Sequence, residues 1–159
     1  MNIRYLGLPA LFWFVIDQGS KYGVLYGLNL IELRAIDVLP PLLRFHLGWN
    51  TGINFGLFAG APEVMRYLLV AIALAVVGWM LWWARNGLTR PVALISAGAL
   101  VGGALGNALD RLIHGAVIDF LNMSCCGIVN PFAFNIADIG IVGGAIGLLF
   151  FADKPKDKA

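Results

Sequence analysis

Residues 98–138 read GALVGGALGNALDRLIHGAVIDFLNMSCCGIVNPFAFNIAD. The stretch begins as an apolar run in which Gly98, Gly102 and Gly106 recur every fourth residue. Asn107, Asp110 and Arg111 close that run, Asp119 follows in the connector, and Asn135 and Asp138 open the next apolar run. A carboxylate at bilayer depth costs roughly 2.5–3.5 kcal/mol on insertion scales, so ionisable groups placed there point to a function. Three aspartates bracket the ends of two adjacent helices.

The rest of the chain supplies the membrane. Its composition is 60% hydrophobic and 13% charged, with a mean hydropathy of +0.82, whereas soluble domains are about half apolar and a quarter charged. The expected fold is an all-α membrane protein, a single domain over 1–159. Four transmembrane helices are expected at about 6–25, 64–84, 92–112 and 136–152. Residues 26–60 break the helical pattern with Pro40-Pro41 and an aromatic, glycine-rich run, which predicts a small β-rich element outside the membrane. The first apolar run lacks a small-residue cleavage site, so it is expected to be a retained helix and not a signal peptide. A net charge of +2 without a basic run argues against nucleic acid as a partner. Cys125 and Cys126 are neighbours with Cα atoms about 3.8 Å apart, below the usual disulfide window, so no intramolecular bridge is expected. No zinc spacing is present, and neither a metal nor a cofactor is expected.

Four spans put both termini on one side. Arg4, Arg85, Arg90, Lys154, Lys156 and Lys158 share that side, which the positive-inside rule assigns to the cytoplasm. Asn50, Asp110, Asp119 and Asp138 then lie together at the outer face. Small residues at i, i+4 let membrane helices approach closely. The Gly98, Gly102, Gly106 row and the pairs Gly140/Gly144 and Gly143/Gly147 predict that the third and fourth spans pack together, bringing Asp119 near Asp138.

Two carboxylates sharing a proton can act as a general acid and base on water. Asp138, in the first turn of its helix, is expected to be the charged partner. Asp119 lies between Val117-Ile118 and Phe120-Leu121, an apolar setting that favours the neutral form. Asp17 and Lys21, spaced i,i+4, share a helix face as an ion pair or as part of the site. Arg111 is expected to pair with Asp110 or Asp17, or to hold a head group. Asn135 is a helix cap or an orienting group for the water or for Asp119. Asn50-Thr51-Gly52 is a turn candidate. The serines, histidines and cysteines have no partner spacing that suits a nucleophile or a metal.

Five motifs in order resemble the lipoprotein signal peptidases, the type II signal peptidases of bacteria, over essentially the whole chain. They are Asp17-Gln18-Gly19-Ser20-Lys21, then Asn50-Thr51-Gly52-Ile53-Asn54-Phe55-Gly56, and Gly102 through Arg111. Gly115-Ala116-Val117-Ile118-Asp119-Phe120 and Phe134-Asn135-Ile136-Ala137-Asp138 complete the set. The resemblance implies an intramembrane aspartic endopeptidase of the bacterial inner membrane. Such an enzyme removes the signal peptide of a diacylglyceryl-modified prolipoprotein, cutting just before the lipid-modified cysteine. It implies Asp119 and Asp138 as the catalytic pair. It also implies Asp17, Lys21, Asn50, Thr51, Gly52, Asn107, Asp110, Arg111 and Asn135 as site-supporting or substrate-binding positions. The phospholipid bilayer and cyclic peptide antibiotic inhibitors follow as partners. The outer β-rich element would cradle the substrate and the connector 122–130 would close over it. The rival reading is a small proton-relay transporter or channel, which calls for ionisable groups through the membrane depth.

Overall fold

The computed structural model describes residues 3–52, 62–125, 127 and 130–153. Ile53 to Gly56 of the loop motif, Cys126, and the tail lysines Lys154, Lys156 and Lys158 lie outside the described residues. Helix α1 (Arg4–Tyr22) runs into a wider turn at Gly23–Gly27 and then a single helical turn, α2 (Leu30–Leu33). A hairpin follows, β1 (Ala35–Leu39) and β2 (Leu43–Asn50), turned at Pro40-Pro41. Next come α3 (Pro62–Gly87), α4 (Pro91–His114), strand β3 (Val117–Met123) and α5 (Ile136–Phe151).

Among the described residues, two helices are long and apolar enough to cross a membrane, Glu63–Gly87 and Pro91–His114, while Ile136–Phe151 is apolar but shorter. Their outward faces are apolar: Leu68, Ile72 and Trp82 of α3 and Leu149 and Phe150 of α5 are exposed. In water such a belt would be a liability, and in lipid it is the solvated surface.

Helix α4 is the central pillar. Its glycines face two ways, which refines the expected packing. A Cβ at Gly98 or Gly102 would run into the α1 backbone at Leu6 and Ala10, and one at Gly106 into the Asp17 side chain. A Cβ at Gly103 would meet Ala137 of α5. From the α5 side, Gly140 rests against Ala99 and Trp13, and Gly144 against Ser96 and Leu100. The four-residue glycine row therefore seats α1, the neighbouring Gly103 seats α5, and Gly143 faces open space. With lipid on both sides there is little hydrophobic drive between helices, so this close approach and its van der Waals contact hold the bundle.

The three strands form one antiparallel sheet in the order β1-β2-β3. Gly48 lies opposite Asp119, and Asn50 opposite Val117. Asp119, expected in the connector between the third and fourth spans, stands on a strand of that connector that completes the sheet begun by the hairpin. The β-branched and aromatic run Val117-Ile118-Asp119-Phe120, entered through the left-handed Gly115, is the local signal for that strand. Ile118, Phe120 and Leu47 pack with Val24, Leu25 and Leu30 in a second core beneath the sheet. Cys125 is disulfide-bonded and no described cysteine is free, which corrects the expectation of no bridge.

Candidate active site

The start of α5 fixes the first carboxylate. Asn135 is the N-cap and Asp138 sits three residues later in a reciprocal capping box. The Asn135 Oδ1 accepts from the Asp138 N–H at 3.0 Å, and the Asp138 Oδ2 accepts from the Asn135 N–H at 3.2 Å. This arrangement satisfies two of the helix's orphan donors and ties the Asp138 side chain to the helix start. From α4, the Asn107 amide donates to Asp138 Oδ1 at 2.9 Å.

Strand β3 supplies the second carboxylate. The Asn135 side-chain amide crosses to Asp119 Oδ1 at 2.7 Å, and Asn50 at the end of β2 donates to Asp119 Oδ2 at 3.0 Å. Asn50 is itself held by a turn, its Oδ1 accepting the Gly52 N–H at 3.0 Å with Gly52 at a φ of +77°. All four oxygens of the two carboxylates thus accept an N–H from named groups, and Asn135 touches both residues.

The two environments differ. Asp119 is 4% exposed, and Asp138 is half-buried. Burial is the main cause that pushes the Asp119 carboxyl up to about 6. Hydrogen bonds from Asn50 and Asn135 and the charge on Lys21 oppose the shift, and the neighbouring Asp138 adds to it. One carboxyl is therefore poised to hold a proton near neutrality beside another that water can reach.

Behind the pair lies a fully buried charge cluster. Lys21 Nζ is 2.7 Å from both Asp17 Oδ2 and Asp110 Oδ2, and donates to Asn107 Oδ1 at 3.1 Å. The pairing expected of Arg111 with Asp110 or Asp17 is corrected, because Lys21 takes both carboxylates. Successive helix residues point about 100° apart, so Asp110 faces α1 while Arg111 donates to the Asn107 carbonyl at 3.3 Å. The Arg111 Nε is buried without a partner among the described residues.

Asp17, Lys21, Asn50, Gly52, Asn107, Asp110, Asp119, Asn135 and Asp138 are joined in one hydrogen-bonded system, and Thr51 lies exposed at its rim. Gln18 belongs to it and was missed as a site residue. Its amide donates to Asp110 Oδ1 at 2.9 Å and Asp17 Oδ2 at 3.1 Å. Its place between two carboxylates depends on the fold, although its position inside the Asp17-to-Lys21 motif was a hint. The described part of the 122–130 connector is tied down by Asn122, whose amide donates to the carbonyls of Asn130 and Phe132, both at 2.8 Å. No group of three His, Cys, Asp or Glu that could hold a metal occurs among the described residues.

Residues 9–152 match the family model described as signal peptidase (SPase) II. A lipoprotein signal peptidase of Rhodopseudomonas palustris is 42% identical over 152 residues, covering 93% of this chain and 91% of that protein. One from Methylorubrum extorquens is 39% identical, covering 96% and 88% respectively. Among solved structures, a bacterial membrane enzyme determined by the in meso method at 2.3 Å superposes with a TM-score of 0.75 at 25% identity. The alignment covers 90% of this chain and 84% of that one. A second, determined at 1.9 Å, gives a TM-score of 0.78 at 24% identity and shares the fold.

Proposed function

The chain belongs to the signal peptidase II family, and within that peptidase activity we propose that Asp119 and Asp138 are the catalytic pair. The protein removes signal peptides from prolipoproteins. The observation that carries the assignment is the Asn135-linked pair of carboxyls, one held up to about 6 by burial and one half-exposed. Asp138 as the carboxylate takes a proton from a water attacking the scissile carbonyl. Asp119 as the acid gives its proton to that carbonyl oxygen. On collapse of the tetrahedral intermediate Asp138 gives its proton to the leaving amine while Asp119 takes one from the diol hydroxyl, which restores the starting pair.

A diacylglyceryl-modified substrate keeps its acyl chains in the bilayer, so a cut just before the lipidated cysteine falls at the membrane surface. A dyad at helix ends meets it there. Together with α1 and α5, the two long apolar helices make four spans of the inner membrane, with both termini cytoplasmic and the dyad on the outer face. The sheet cradles the substrate, and cyclic peptide antibiotics inhibit by filling the same site. A proton relay is not favoured, since Asp17, Lys21, Asp110, Asp119 and Asp138 gather at one end of the bundle.

The test is a gel-shift assay on purified protein in detergent with a diacylglyceryl-modified prolipoprotein. Asp119→Asn and Asp138→Asn should each lose at least about a hundredfold in turnover while remaining folded. Near-normal turnover by either variant would remove it from the pair. A reporter fused after Ala159 should register the cytoplasm, and a periplasmic signal would overturn the orientation.

A further inference from the structure

The buried triad of Asp17, Lys21 and Asp110 is poor value as a source of stability. Desolvating three charges costs several kcal/mol per ion, and well-packed apolar replacements are often as stable. Its two carboxylates have further, specific partners, however. Asp17 Oδ1 accepts the backbone N–H of Ala137 at 2.9 Å, and Ala137 is the residue immediately before Asp138. Asp110 Oδ2 accepts the backbone N–H of Ile118 at 3.2 Å, and Ile118 is the residue immediately before Asp119. The two tethers come from different helices and reach an α5 helix start and a β3 strand. One ammonium, Lys21 Nζ, joins them at 2.7 Å on each side. Gln18 spans the same two carboxylates, donating to Asp17 Oδ2, which Lys21 also holds, and to Asp110 Oδ1.

We infer that Asp17, Gln18, Lys21 and Asp110 form a yoke that sets the separation of the two catalytic aspartates by holding the backbone amide that precedes each one. Lys21 and Gln18 are thus positioning residues for the reaction. The inference rests on Asp119 and Asp138 being the catalytic pair. The side chains of Asp17 and Lys21 have no exposed area and Asp110 has 1%, so the ionic bonds of the yoke are shielded from bulk water and its geometry is stiff. The charges around the pair are Asp17 and Lys21 from α1 and Asp110 and Arg111 from α4; β2 contributes the neutral Asn50.

Carboxyls held close titrate in two well-separated macroscopic steps, and the gap shrinks as they move apart. Loosening the yoke should therefore lower kcat and draw the acidic and basic limbs of the pH profile toward each other. A loss of folded protein would lower the amplitude and leave the limbs in place. Lys21→Met alone strands two buried carboxylates, so the main variant is Lys21→Met/Asp110→Asn, which conserves the buried net charge. Gln18→Leu is the second; it is uncharged, half-buried and suited to a helix.

In the purified full chain with lipidated prolipoprotein, the double variant should lose at least about tenfold in kcat, with KM within about twofold and the limbs closer together. Gln18→Leu should shift the same way by less, about threefold in kcat. Either folded variant with wild-type kcat and unmoved limbs overturns the yoke, as does a loss that only tracks the folded fraction. Should the double variant not fold, Gln18→Leu decides alone. Asp119→Asn run in parallel separates the two failures: an active Asp119→Asn enzyme defeats the dyad, whereas an inactive one beside unmoved Gln18→Leu limbs defeats only the yoke.

Discussion

Two aspartates at opposite ends of the bundle show how the fold uses charge differently. Asp119, at the end that carries the sheet, is buried, and burial pushes its carboxyl up to about 6. Asp153, just beyond α5, is half-exposed and ties the α3–α4 loop. It accepts the Thr89 N–H at 2.6 Å, the Thr89 hydroxyl at 2.8 Å and the Arg90 N–H at 3.4 Å. Those bonds, the Thr89 backbone bond first, hold its carboxyl below the ordinary value. The same side chain is thus made a proton holder at one end and a permanent anion at the other. A charge that serves only to fasten a loop can stay solvated. A charge that must move a proton near neutral pH is worth the cost of burial.

The largest expected effects attack the buried end. Asp119→Asn should abolish cleavage and also stabilise the protein at neutral pH. A carboxyl whose folded value is raised from 3.8 to about 6 contributes stability that is full below 3.8 and lost as pH rises through 6. The variant's melting temperature should therefore match the wild type near pH 4 and exceed it at pH 7.5. A variant less stable than wild type at pH 7.5 would break the assignment of burial cost to this residue. Next in size is Asn135→Ala, which removes the α5 cap and the bridge between the two carboxyls. About 1 kcal/mol of stability and about ten- to a hundredfold of turnover should go with it, measured by thermal melting and the cleavage assay. An unchanged turnover would leave Asn135 as a cap alone.

Much of this end was legible before the fold was known, and the reason is chemical. Acidic and amide residues at the ends of apolar runs are costly enough to stand out one by one, so Asp17, Asn107, Asp119, Asn135 and Asp138 could be picked from the chain. The Asp17–Lys21 pair was also legible, from its i,i+4 spacing, and what could not be picked was which charges meet across helices. Arg111 seemed the natural partner of Asp110 by adjacency, yet the helix turns it away and Lys21 arrives from a helix 89 residues earlier in the chain. Strand β3 was hidden for a similar reason. It is buried on both faces over Val117 to Phe120, so its apolar run lacks the alternation of a half-exposed strand. The glycine row was visible as a packing face, but its partner was not. Close approach needs only the absence of a Cβ, which does not say which helix fills the space.

That ambiguity gives a smaller, cleaner contrast within the bundle. Gly102→Ala would press a methyl onto the Ala10 backbone, and overpacking of this kind costs about 1–3 kcal/mol. Gly143→Ala meets nothing within 4 Å and should gain up to about 1 kcal/mol through reduced backbone freedom. Melting of the two variants in the same detergent tests this, and equal shifts would mean that α1 does not seat on the Gly98–Gly106 row.

The smallest effect sharpens the opening contrast most. Asp153→Asn should leave cleavage unchanged, because its bonds end at Thr89 and Arg90, at the far end of α4 from Asn107 and Asp110. Its signature lies in the sign of its pH dependence. A carboxyl held below its ordinary 3.8 in the folded state contributes stability that is present above 3.8 and lost as pH falls through the lowered value. The wild type should therefore melt slightly above Asp153→Asn at neutral pH, with the gap closing in acid. For Asp119→Asn the gap has the opposite sign and opens as pH rises. Two Asp→Asn variants of one chain, followed by melting from pH 3.5 to 8, should give curves of opposite slope. If Asp153→Asn also lowered cleavage, the solvated loop and the buried pair would be mechanically coupled along α4, and the division of labour between the two ends would fail.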